Sequence, residues 1–137
     1  MRTAAGLVLL ALAVLGGRTV EAADGRKPRL NLRASPRVAL TPVSVLTSAE
    51  LIGGDESEEY HCPRLEWDWG DGTRSERESD CEPYDGRAPV ERRYSARHVY
   101  RSPGQYDIRL TLRRASRVVA VGTTAVAVHG GPGADAY

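Results

Sequence analysis

One seven-residue stretch, Trp67-Asp68-Trp69-Gly70-Asp71-Gly72-Thr73, constrains the fold of this chain more than any other feature. Leu65, Trp67 and Trp69 place apolar side chains on alternate positions and run directly into an Asp-Gly pair, the pattern of a half-buried strand entering a hairpin. Further along, Tyr106, Ile108, Leu110 and Leu112 alternate with Asp107, Arg109 and Thr111, so a second strand hides one face and wets the other.

The remaining strands follow from the same alternation and from Gly, Pro and Asp punctuation. Leu30 and Leu32 begin a strand that Pro36 ends, residues 38–40 form an edge piece before Pro42, and Val43, Val45, Thr47, Ala49 and Leu51 line one face of the next. Further strands are expected at 64–69, 73–79, 91–99, 105–113 and 117–128, the last with a bulge or kink at Gly122. No helical periodicity competes beyond the N-terminal segment. About seven short strands of this kind imply an all-β fold, an immunoglobulin-like Greek-key β-sandwich. The chain has no Phe, so the two Trp, the Tyr residues and the aliphatics must fill the core. Truncating a core Trp such as Trp67 to Ala costs about 3–5 kcal/mol.

Aromatic-Asp-aromatic-Gly-Asp-Gly, then His98-Val99-Tyr100, then Gly104-Gln105-Tyr106-Asp107-Ile108-Arg109-Leu110-Thr111-Leu112, together resemble the PKD domain, the immunoglobulin-like module of polycystins and bacterial exported proteins. The resemblance covers residues 29–128. It implies structural roles for Trp67, Asp68, Trp69, Gly70, Asp71, Gly72, His98, Tyr100, Gly104 and Tyr106, with Trp67 as the core Trp of the third strand and Tyr106 as a tyrosine corner. Three departures stand out: Trp69 replaces the usual Phe, the stretch 74–97 is long and contains Cys81, and Arg114-Ala115-Ser116 lacks the usual Asp/Asn-Gly.

Residues 1–22 read as a signal peptide, with Arg2 at a basic start, an apolar and glycine run from Ala4 to Gly17, and small residues for cleavage around Ala22. A membrane anchor would need a longer apolar span without Arg18, Thr19 and Glu21 close behind, and no later stretch is apolar enough to span a bilayer. Residues 23–28 form a polar leader and 129–137 a flexible tail. Cleavage after Ala22 removes Arg2, Arg18 and Glu21 and leaves basic and acidic residues in balance. That balance argues against a nucleic-acid partner or an anionic membrane surface.

Cys62 and Cys81 are the only cysteines, and the Asp71-Gly72 pair lies midway between them. If that pair is a two-residue hairpin loop, residues equidistant from it face each other and Cys62 meets Cys81. The same register puts Glu76 on the face of Trp67 and Arg74 beside Trp69, which suits a core poorly, so a bulge or an overhanging edge strand is expected as well. A disulfide suits an oxidising compartment, secreted or periplasmic. A zinc site would have only His61 beside the two cysteines, too few ligands for the usual shell of four.

The chemistry-bearing groups read mostly as structural. Asp68 and Asp71 are two carboxylates where calcium needs six or more oxygens. Instead, Asp71 is expected to tolerate positive φ in the turn and Asp68 to accept local amide bonds. Asp55-Glu56-Ser57-Glu58-Glu59 reads as a solvated acidic loop. The arginines at 92, 93, 97 and 101 and at 109, 113, 114 and 117 are either a patch for acidic glycans or proteins, or cross-strand partners of Glu66, Asp68 and Asp107. The second reading is preferred. His98, with Ser95 and Ser102 nearby, would centre a hydrolase if this chain were one, but no Gly-x-Ser-x-Gly elbow accompanies it. The expectation is therefore an exported, monomeric, non-catalytic domain. Its role is binding or structural, with a protein or glycan partner at the cell surface or outside it and no cofactor or metal. The alternative is a small extracellular hydrolase or an accessory subunit of a secreted enzyme.

Overall fold

Alternation decides which residues each strand hides. In the computed structural model, which describes residues 27–55 and 57–132, Leu30, Leu32 and Ala34 of β1 (Arg29–Ser35) are buried while Arg29, Arg33 and Ser35 face solvent. The other strands are β2 (Val38–Leu40), β3 (Val43–Ile52), β4 (Arg64–Asp68), β5 (Arg74–Arg77), β6 (Arg93–Tyr100), β7 (Gly104–Arg114) and β8 (Arg117–His129), with one turn of 3-10 helix at Glu58–Tyr60. The edge piece expected at 38–40 is a strand of its own, so the described residues hold eight. The signal peptide, most of the leader and the end of the tail lie outside the described residues. His129, expected in the tail, ends β8 opposite Leu40.

Two sheets pack face to face, one ordered β1-β3-β6 and the other β2-β8-β7-β4-β5. All pairings are antiparallel except β2 with β8, which run parallel through Val38–Ala127, Ala39–Val128 and Leu40–His129. Between the sheets lie Val45, Leu65, Trp67, Trp69, Ile108, Leu110, Leu112 and Val126, all buried. Thr47 is the one buried polar residue among those described, and its hydroxyl donates to the Ala96 carbonyl at 2.9 Å, which satisfies it without water.

The β4–β5 register corrects the sequence reading. Trp67 pairs with Ser75, Glu66 with Glu76 and Asp68 with Arg74, one residue away from the expected alignment. The cause is the loop, which is three residues long, Gly70-Asp71-Gly72, and is closed by the Trp69 amide donating to the Thr73 carbonyl at 3.1 Å. Shifting by one residue turns Glu76 to the wet face, so the conflict in the core disappears. The Cys62–Cys81 disulfide forms all the same, with Cα atoms 6.1 Å apart, because β5 stops at Arg77 and Cys62 takes a left-handed backbone at φ 50°.

Two features of β8 also differ from expectation. The register shift lies between Leu112 and Arg113 opposite Ala120 and Val118, which makes Val119 the extra residue rather than Gly122. Gly122 serves close approach instead. A Cβ there would sit 2.6 Å from the Leu30 carbonyl oxygen, so only glycine lets β8 press against β1.

Candidate functional site

The three sequence blocks that are far apart in the chain converge on one aromatic column. Trp67 of β4 and Trp69, just past its end, are both buried and stack at 5.3 Å. The His98 ring, reaching across from β6 in the other sheet, lies parallel on Trp69 at 4.6 Å. Tyr100 meets His98 edge-on at 4.8 Å, and Tyr106 of β7 stacks on Tyr100 at 4.2 Å. Such ring pairs add to simple burial and fix relative orientation, so the column clamps β4, β6 and β7 together.

Three polar tips along this column have internal partners. The Tyr100 hydroxyl donates to the Trp69 carbonyl at 2.7 Å, the Tyr106 hydroxyl to the Ser102 carbonyl at 2.5 Å, and Trp69 Nε1 to Ser75 Oγ at 2.9 Å. The Tyr106 bond is the backward reach of a tyrosine corner. Burial, with the nearby Asp71 charge, pushes the Tyr100 hydroxyl well above its ordinary pKa.

At the mouth of the column the turn meets β6. Asp71 Oδ2 accepts from His98 Nε2 at 2.7 Å, and Oδ1 accepts from the Thr73 amide at 2.9 Å and the Thr73 hydroxyl at 2.5 Å. The backbone of Asp71 stands in an exposed turn, yet its side chain keeps only 21% of its surface. Burial alone would raise its pKa, but the bonds from Thr73 and His98 outweigh it and hold the carboxyl at about 2. Positive φ falls to Gly70 (77°) and Gly72 (89°), not to Asp71. The aspartate is the anchor of the turn, and the glycines make the bend. Asp68, as expected, accepts the Gly70 amide at 3.0 Å and also faces Arg74 at 3.5 Å. Gly104 lies beneath the Tyr106 ring, whose nearest atom would be 3.1 Å from a Cβ.

The hydrolase geometry is not assembled here. Ser95 and His98 point to opposite faces of β6, since Tyr94, Ala96, His98 and Tyr100 share the inner side. Ser102 offers its carbonyl to Tyr106. The one hydroxyl near the imidazole, Thr73 Oγ1 at 3.4 Å, approaches Nε2, the nitrogen already bonded to Asp71. A nucleophile–base–carboxylate relay needs the two partners on different ring nitrogens.

The disulfide stands apart, at the other end of β4. There His61 Nε2 meets the Glu82 carbonyl at 2.8 Å and its ring tilts against Tyr84 at 5.4 Å, tying down the long segment after β5. Sequence reasoning missed a second cluster close by. Glu58 and Glu59 pair with Arg114 and Arg117 at the β7–β8 turn, so the acidic run is partly an ion-pair partner for the basic one. Arg113 and Arg64 both bond Glu66, at 2.7 and 2.6 Å, and the Arg113 bond leads in holding that carboxyl below its ordinary range. Among the described residues, no group of three or more His, Cys, Asp and Glu is placed to hold a metal ion.

Two sheets with this strand order, closed by an aromatic column and a disulfide, define an immunoglobulin-like β-sandwich. A solved structure agrees on the fold. The crystal structure of the CARDB domain of the PF1109 protein from Pyrococcus furiosus, in complex with di-metal ions, is similar over 74% of this chain and 87% of that one, with a TM-score of 0.51 at 15% identity. The solution NMR structure of the same domain matches over 74% and 94%, with a TM-score of 0.47 at 14% identity. No protein-family model and no curated protein matches the chain.

Proposed function

We propose that this chain is an exported, PKD-like, non-catalytic module that binds or spaces other molecules at the cell surface or outside the cell. The observation that carries the reading is the internal commitment of Asp71, Thr73, His98, Tyr100 and Tyr106, whose polar atoms bond to one another or to backbone. Groups spent in this way hold a fold together, and function then falls to exposed faces. The Cys62–Cys81 disulfide supports an oxidising compartment. No helix of the described residues is long and apolar enough to cross a membrane.

N-terminal sequencing of protein made in an exporting host tests the reading. A start at Ala23 or Asp24 is expected, since the small residues before each permit cleavage. Mature protein that still carries Met1 would overturn export.

A further inference from the structure

The outer faces of the two sheets carry their arginines differently. On the five-stranded sheet, Arg64, Arg74, Arg109 and Arg113 share the face with Glu66, Asp68, Glu76 and Asp107, and Arg64, Arg74 and Arg113 are in ion pairs. On the three-stranded sheet, Arg29, Arg33, Arg93 and Arg97 share the face with Glu50 alone. Glu50 reaches only Arg93, at 3.8 Å. Arg33 and Arg97 have no acidic partner among the described residues.

The ground between those arginines is shaped. Arg33, Ser48 and Ser95 form one row across β1, β3 and β6, and Asn31, Glu50 and Arg93 the next. Because Ser48 and Ser95 are small, the sheet has a shallow depression of about 410 Å³ there, rimmed by Arg33, Arg93 and the Glu50 carboxylate that Arg93 faces. Arg97 stands one row further on, opposite Leu46 and just beyond the depression, and its strand lies two strand spacings, about 10 Å, from that of Arg33, so a guanidinium stands on either side of the serine row.

From this arrangement we propose that the outer face of β1, β3 and β6 binds an acidic polysaccharide, with Arg33 and Arg97 on its carboxylate or sulfate groups and Asn31, Ser48 and Ser95 on its hydroxyls. The inference deepens the binding reading above and rests on it. Guanidinium forks match planar carboxylates and sulfates, and short hydroxyl and amide side chains both donate to and accept from sugar hydroxyls. A neutral sugar chain is disfavoured because the one aromatic residue at the depression, Tyr94, lies on the inner side of β6 and is buried, which leaves no exposed ring on which to stack. A protein partner is disfavoured because interface centres are rich in aromatic anchors, whereas the large apolar residues on this face are aliphatic, with Ile52 and Val99 at its two ends and a half-buried Leu46 beside Arg97.

The test is calorimetric titration of the disulfide-intact exported protein with heparin, polygalacturonate, neutral dextran and polyglutamate. At least one of the two acidic polysaccharides should bind, more weakly as salt rises, and dextran should not. Arg33→Gln combined with Arg97→Gln should weaken binding roughly tenfold or more, as loss of two charge-assisted contacts requires. Ser95→Glu, which plants a negative charge in the floor, should do the same by a different route. Arg109→Gln changes net charge on the opposite sheet and should leave affinity within about twofold; melting curves check that each variant is folded. Equal weakening by Arg109→Gln, or none by the other variants, overturns the site. Tighter binding of polyglutamate than of either polysaccharide overturns the ligand class in favour of an acidic protein. N-terminal sequencing of the same preparation keeps the two readings apart. Cleaved protein that binds no polyanion overturns this inference alone, whereas Met1 retained brings down the exported reading and this one with it.

Discussion

Asp71, in the loop between β4 and β5, and His98, on β6 of the opposing sheet, are joined by a 2.7 Å hydrogen bond. An acceptor facing Nε2 requires that nitrogen to carry the proton, so the bond selects one tautomer when the ring is neutral and strengthens when the ring is charged. The turn after β4 is thereby fastened to β6 as well as to its own hairpin.

That fastening is pH-dependent on the acid side. Asp71 has its pKa lowered from 3.8 to about 2 in the folded chain, so its stabilisation is fully present above the unfolded value and is lost as pH falls through the folded one. With allowance for solvent screening it amounts to about 1–2 kcal/mol. Denaturant titrations from pH 5 to 2 should show wild type losing this increment. Asp71→Asn should start lower and fall less over the same window, and parallel curves for the two proteins would refute the assignment.

The two glycines of the turn should respond unequally to alanine. A Cβ at Gly70 would sit 2.5 Å from the Asp107 carbonyl oxygen, whereas one at Gly72 meets nothing within 4 Å. Gly70→Ala therefore forces backbone apart and should cost roughly 2–4 kcal/mol, and Gly72→Ala only the left-handed strain of about 1 kcal/mol. Chemical denaturation ranks them, and equal losses would contradict the close approach.

Ala115 holds a left-handed conformation at φ 52° in the β7–β8 turn. Ala115→Gly should raise stability by roughly 0.5–1 kcal/mol, relief of strain exceeding the entropy added to the unfolded chain. A lower melting temperature would show that the methyl group is needed.

Reduction removes a cross-link between residues separated by 19 positions. Cys81→Ser should lower stability by roughly 2–4 kcal/mol, and thiol titration of native exported protein should find no reactive sulfhydryl. Two accessible thiols would refute the pairing in solution.

Calcium should leave the melting temperature of wild type unchanged, because Asp68 Oδ1 and both Asp71 oxygens already accept hydrogen bonds. A ligand of the native state would raise stability by mass action. A calcium-dependent rise that vanishes in Asp71→Ala would overturn this.

Strand positions were legible because alternation is local. Leu65-Glu66-Trp67 and Ile108-Arg109-Leu110 each declare a buried and a wet face without reference to the rest of the chain. Register was not, because it turned on whether the loop at Asp71 held two residues or three, and a sequence does not state the φ values of Gly70. The motif residues were legible as a set, but their union in one stack was not. His98 reaches Trp69 only because β6 and β4 belong to opposing sheets. Thr73 and Ser75, which complete the turn and cap the Trp69 indole, carry no signal beyond their spacing from Asp71 and Trp69. The pairing of Glu58 and Glu59 with Arg114 and Arg117 spans more than fifty positions, and nothing short-range announces it.

The parallel pairing of β2 with β8 places the strand near the domain's entry alongside the strand at its exit. A pull that draws the two ends of the sandwich apart moves these strands past each other along their own axes, and the hydrogen bonds between them are strained together instead of opening one by one from an end. Antiparallel strands tugged at a shared end would unzip. A tethered module with this connection resists tension as a lap joint does, through the whole overlap at once.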